Sequence, residues 1–88
     1  MIVKDYIITS AQGIHARPAT TLIRLTKNFK SVVSLKKGDK TVRLNSMLNI
    51  LSLTIKGGET ISVIIEGDDE GSAAEAIDLF FTTQLKEL

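Results

Sequence analysis

The single histidine of the chain, His15, lies in the run Gly13-Ile14-His15-Ala16-Arg17-Pro18-Ala19-Thr20. Proline suits the first turn of a helix, where the N–H it lacks has no partner anyway, so Pro18 marks a helix start and His15 sits a turn or less before it. The first N–H groups of a helix are unpaired, and the macrodipole leaves partial positive charge at that end. Arg17 adds a permanent cation whose fork of donors matches phosphate oxygens. A phosphoryl group arriving on the imidazole would find donors and positive charge already placed. The same field favours the neutral ring, the form that is nucleophilic. Phosphoryl transfer asks for alignment and charge neutralisation more than for acid–base machinery. The plain alternative is a solvated histidine at a helix start beside an ordinary surface arginine. A second polar residue in an apolar setting is Ser46, followed by Met47-Leu48-Asn49-Ile50-Leu51-Ser52-Leu53. It reads as the N-cap of a short helix.

The elements that must hold these residues follow from periodicity. Ile2–Thr9 is rich in Ile, Val and Tyr and reads as a strand, with Ser10-Ala11-Gln12-Gly13 as a loop. From Pro18 on, Ala19, Leu22, Ile23, Thr26 and Phe29 recur at steps of three and four, which lays them on one helical face. Ser31–Lys36 and Thr41–Leu44 alternate about Lys37-Gly38-Asp39-Lys40, a hairpin signal. Met47, Leu48, Ile50 and Leu51 cannot share one strand face but can ring a short helix. Lys56-Gly57-Gly58-Glu59 predicts a turn and Thr60–Glu66 a strand, half-buried, with some apolar surface on both sides. Ala73–Leu88 carries Ala73, Ala74, Ile77, Phe80, Phe81 and Leu85 on a broad stripe, with Ser72-x-x-Glu75 as a capping box. The order is β-α-β-β-α-β-α, which an open antiparallel or mixed sheet with its helices on one face accommodates most economically.

Composition narrows the function classes. Eighty-eight residues, 43% hydrophobic, suffice for one small core, so residues 1–88 are read as a single domain. Eleven Lys plus Arg against ten Asp plus Glu give a net charge of +1, too little field to draw the chain to nucleic acid or an anionic membrane. An RNA-binding split β-α-β domain would want aromatics on its strands, and Tyr6 alone is so placed. There is no cysteine and only one histidine, which removes disulfides, thiolate nucleophiles and multi-histidine metal cages. No metal and no cofactor is expected. No stretch reads as a targeting signal or membrane span, so the expectation is a cytoplasmic protein.

The run Gly13–Thr20, the helix after it and Ser46 in its apolar setting resemble HPr, the histidine-containing phosphocarrier family of the bacterial phosphoenolpyruvate–sugar phosphotransferase system, and the resemblance spans essentially the whole chain. It implies an α+β open-faced β-sandwich: a four-stranded antiparallel sheet with three helices on one face. It also implies a shuttle rather than a stand-alone enzyme, in which His15 accepts a phosphoryl group from phosphorylated enzyme I and passes it to IIA domains of sugar permeases. By the same resemblance the group sits on Nδ1, Arg17 stabilises the moving charge, and Ala16, Arg17 and Pro18 form the phosphate-binding turn. Thr20, Arg24, Lys27, Met47, Leu48 and Leu51 would meet partners, and the carrier would be a monomer.

Ser46 matches the position that many Gram-positive members have phosphorylated by HPr kinase/phosphorylase, a modification that recruits catabolite control protein A. About two negative charges added there would lie on the surface partners dock against. The chain departs from the family at this point: the usual Lys-Ser-Ile-Met-Gly appears as Asn45-Ser46-Met47-Leu48-Asn49, and position 12, commonly Ser, is Gln12. The alternative function is therefore a regulatory module of the same fold, acting through Ser46 phosphorylation and protein binding with little part in transport.

Overall fold

A computed structural model describes residues 1–88. The strands are β1 (Ile2–Ile7), β2 (Val32–Lys37), β3 (Lys40–Arg43) and β4 (Thr60–Glu66), and the helices are α1 (Ala16–Thr26), α2 (Met47–Leu51) and α3 (Glu70–Leu79). Alternation along β4 explains the layering. Ile61, Val63 and Ile65 are buried beneath the helices, while Ser62 and Ile64 face the open side and are only half-buried. The strands pair in the order β1-β4-β2-β3, all antiparallel, with β4 central between β1 and β2. Register puts Leu35, Val63 and Val42 in one row on the helix side, since Leu35 lies opposite both Val63 and Val42. The fold is thus the open-faced α+β sandwich expected from the sequence: four antiparallel strands, three helices.

The core joins the inner faces of β2 and β4 to Ala19 and Leu22 of α1, Ile50 of α2, and Ala73, Ala74, Ile77 and Phe80 around α3. Tyr6 stacks on Phe81, with ring centroids 4.7 Å apart, and its hydroxyl donates to Asp78 Oδ1 at 2.8 Å. Removal from water, then the adjacent Asp78, raises the pKa of that phenol well above its ordinary value.

Several element boundaries differ from the sequence reading. β1 ends at Ile7 rather than Thr9, because Ile8 exchanges its hydrogen bonds with the turn, donating to the Glu59 carbonyl and accepting from Gly58 N–H, instead of with the strand. α1 begins at Ala16, two residues before Pro18, which occupies the third helical position and is buried. The hairpin turn is tighter than four residues: Lys37 and Lys40 pair within the ladder and leave only Gly38-Asp39 to turn, with Gly38 at φ +60°.

The last helix departs most. It starts at Glu70, so Ser72 is interior to it and the Ser72–Glu75 capping box is not formed. Asp69 is the N-cap residue, but its carboxylate is turned away from the helix. It accepts from the backbone N–H of Lys30 at 2.8 Å, from that of Ser31 at 2.9 Å, and from the Ser31 hydroxyl. Those donors, the Ser31 hydroxyl foremost, hold the Asp69 carboxyl below its usual range. Beyond Leu79 the chain widens to a π turn over Phe80–Gln84 and then tightens to a 3₁₀ turn. A wider turn reduces the angle between successive side chains, and both Phe80 and Phe81 are buried as a result.

Candidate functional site

His15 is the N-cap residue of α1, with extended dihedrals of φ −103° and ψ −169°. Its carbonyl accepts the Ala19 N–H at 3.1 Å, the first bond of the helix. The residues on either side fix it there. Ile14 before it is buried in the core, and Pro18 and Ala19 after it are buried on the inner face of α1. The ring itself is half-buried. Nε2 is enclosed and has no hydrogen-bond partner in the chain.

The loop leading to His15 is seated by a close backbone approach. Gly13 adopts φ +71°, and a Cβ there would stand 2.0 Å from the Ile55 carbonyl oxygen and 2.7 Å from Lys56 Cα. Ile14 N–H donates to that same Ile55 carbonyl at 3.0 Å. Gly57 meets the loop from the other side, where a Cβ would lie 2.5 Å from the Ser10 carbonyl oxygen. Only glycine permits such contact between two backbones. Nothing local in the sequence marks the seat at Ile55 or this use of Gly57, which by its neighbours predicts only a turn.

Around the ring, donors and positive charge are available. Ala16 and Arg17 N–H groups have no partner in the chain, as the first positions of a helix must. Pro18 has no N–H to offer and shapes the turn instead. Arg17 is exposed and forms no ion pair. Arg17, Thr20, Arg24 and Lys27 follow at steps of three and four along the outer side of α1, and Arg24 and Lys27 are likewise exposed and without carboxylate partners. The Thr20 hydroxyl is already engaged, donating to the Ala16 carbonyl at 2.8 Å.

The Ser46 region lies on α2, which packs against α1. Ser46 has the extended backbone of an N-cap residue, φ −147° and ψ 133°, yet its hydroxyl makes no capping hydrogen bond. The expected cap exists in backbone only. Asn45 and Asn49, where the chain departs from the family pattern, meet each other: Asn49 Nδ2 donates to Asn45 Oδ1 and to the Arg43 carbonyl, both at 3.3 Å. Of the three apolar residues singled out on α2, Met47 packs partly against the core, whereas Leu48 is 79% exposed and Leu51 36%. A five-residue helix buries one face, occupied by Ile50, and has nothing left to cover Leu48.

The sheet is open on one side, and a half-buried imidazole is held at a helix start beside free amides and an unpaired guanidinium. Residues 2–83 match the family described as the PTS HPr component phosphorylation site. Among solved structures, the chain is similar to the histidine-containing phosphocarrier protein of a mycoplasma, at 32% identity over 96% of this chain and 97% of that one, with a TM-score of 0.87. It is similar to an HPr of Thermoanaerobacter tengcongensis at 30% identity over 100% and 99% of the two chains, with a TM-score of 0.92. Crh, the catabolite repression HPr of Bacillus subtilis, matches at 27% identity over 97% and 98%, with a TM-score of 0.76, in a crystal structure described as a swapped, intertwined dimer. The chain belongs to the HPr family of the phosphotransferase system, which supports a phosphocarrier-type role and implies phosphotransferase-system partners such as enzyme I and IIA domains. No helix is long and apolar enough to cross a membrane.

Proposed function

We propose that this protein is a phosphocarrier in which His15 accepts a phosphoryl group from phosphorylated enzyme I and hands it to IIA domains of sugar permeases. In the accepting step the phosphorus–nitrogen bond on the donor histidine breaks as a new one forms to His15 Nδ1, so the group changes histidines without net hydrolysis. The observation that carries the reading is the half-buried His15 ring at the N-cap of α1, beside two unpaired amides, those of Ala16 and Arg17. Those amides and the Arg17 guanidinium receive the phosphoryl oxygens, and Pro18 keeps the turn that aims them. Thr20, Arg24, Lys27, Met47, Leu48 and Leu51 form the docking face, the cations meeting acidic partner surfaces and the leucines giving apolar contact. The domain works as a monomer in the cytoplasm, and sedimentation at working concentration checks its state against the dimer seen for Crh. Incubation with phosphoenolpyruvate and enzyme I is expected to give an acid-labile, base-stable phosphate that His15→Ala abolishes. Label that survives the substitution overturns the proposal.

A second reading is favoured by one observation, the Ser46 hydroxyl that the helix does not use. In that reading HPr kinase/phosphorylase modifies Ser46 and catabolite control protein A reads the result. With ATP and the kinase, an acid-stable phosphate lost in Ser46→Ala supports it, and an unlabelled protein rejects it.

A further inference from the structure

Thr54 is the one non-glycine residue with positive φ, at +50°. A β-branched side chain is poorly tolerated in that region, and such outliers persist only where neighbouring contacts hold them. Here the Thr54 N–H is held by the Leu51 carbonyl at 3.1 Å, and a second contact comes from the sheet's hairpin. Lys37, the last residue of β2, donates from Nζ to the Thr54 carbonyl at 2.6 Å and lies 3.0 Å from Glu59 Oε1. Glu59 Oε1 in turn accepts the Lys56 N–H at 2.6 Å, and Glu59 N–H closes the turn onto the Lys56 carbonyl at 3.2 Å. Lys40, across the turn, donates to the Ser52 carbonyl at 3.2 Å. One ammonium thus ties both ends of the strap 54–59. That strap contains Ile55, whose carbonyl takes the Ile14 N–H, and Gly57, which lies against the Ser10–Ala11 backbone.

We infer that Lys37 is a positioning residue for phosphoryl acceptance at His15, acting through the strap 54–59 and the Ile14–Ile55 hydrogen bond rather than by touching the phosphoryl group. The inference rests on His15 being the acceptor, as proposed above. The charge-assisted bond at Thr54 holds a strained residue in place, and the strained residue aims the Ile55 carbonyl at the His15 loop. Release of Lys37 lets Thr54 relax toward ordinary dihedrals, which withdraws the seat beneath Gly13 and Ile14 and lets the imidazole wander from the amides of Ala16 and Arg17. The docking face on α1 and α2 keeps its own packing.

The test compares Lys37→Met, Lys37→Arg and Glu59→Gln with the parent protein in two measurements. Amide hydrogen exchange at Ile14 reads the seat without any partner. Steady-state phosphorylation by enzyme I and phosphoenolpyruvate, with the carrier varied, separates kcat from KM. Lys37→Met is expected to speed Ile14 exchange by about tenfold, the scale of one lost charged hydrogen bond, and to lower kcat by a similar factor with KM unchanged. Lys37→Arg restores both, and Glu59→Gln gives a smaller change because the Gln carbonyl still accepts from Lys56. Parent-like exchange and kcat in Lys37→Met overturn the inference, as does a change in KM alone. A drop in kcat that Lys37→Arg does not restore also counts against it. If His15→Ala retains the label, the acceptor assignment fails instead, and Ile14 exchange still decides whether Lys37 holds the loop.

Discussion

Gly13→Ala is the most revealing single substitution in this protein. Its cost has two parts that the structure separates. At φ +71° an L-residue sits in left-handed space, at about 1–2 kcal/mol. The new methyl would stand 2.0 Å from a backbone oxygen that also accepts a hydrogen bond from the next residue, Ile14. A backbone neighbour cannot rotate away, so the two loops must part, at about 1–3 kcal/mol for overpacking and about 1 kcal/mol for the Ile14 bond. The total is about 3–6 kcal/mol, or a fall in Tm on the order of 15–30 °C for a domain of this size. Gly38→Ala is the control. Its φ is +60° but no atom lies within 4 Å of the added carbon, so only the first part applies. Urea unfolding followed by circular dichroism measures both variants. Equal losses of stability would mean that the close approach to Ile55 contributes nothing, and the account of how His15 is seated would fail.

Four further outcomes are expected. Thr54→Asn, which places a residue tolerant of positive φ at this strained position, stabilises the fold by about 0.5–1 kcal/mol; a loss by urea unfolding would show that Thr54 is unstrained. Asp69, whose carboxyl is held below its usual range by the Ser31 hydroxyl and the Lys30 amide, contributes stability above the unfolded carboxylate range that disappears as pH falls through the lower folded value. Asp69→Asn therefore lowers Tm at pH 7, and the two Tm curves converge below about pH 4; parallel curves would contradict the linkage. Arg17→Ala slows phosphoryl acceptance by about 10²-fold while moving the urea midpoint little, and an unchanged rate would remove Arg17 from the chemistry. Leu48→Ser alters stability by less than about 0.5 kcal/mol but weakens enzyme I binding by about tenfold, readable by titration calorimetry.

The sequence made the fold legible wherever one face of an element is buried. Thr60–Glu66 has the bounds its sequence predicts, because Ile61, Val63 and Ile65 alternate with Thr60, Ser62, Ile64 and Glu66, and a one-residue slip would turn the buried set outward. Boundaries failed where a side chain prefers a distant partner. Ser72 and Glu75 fit a capping box on spacing, but Asp69 reaches across to the Lys30–Ser31 backbone and moves the helix start three residues earlier than Ala73. The His15 turn was visible because proline punctuates it locally. Its seat was not, since Gly13, Ile55 and Gly57 come together only in three dimensions, and a glycine pair in sequence looks like any turn. Lys37 was hidden for the same reason, as one of two adjacent lysines at a hairpin tip.

The placing of β1 governs how the chain can be made. Ile2 lies opposite Ile65 and Ile7 opposite Thr60, so β1 pairs with a strand more than fifty residues further along the chain. Such distant pairing makes folding slow, and until β4 emerges the opening strand has exposed backbone and no mate within its own chain. In a crowded nascent population, the β4 of a neighbouring polypeptide offers the same register. Synthesis rate and concentration, rather than native contacts alone, then decide how much of the product closes on itself.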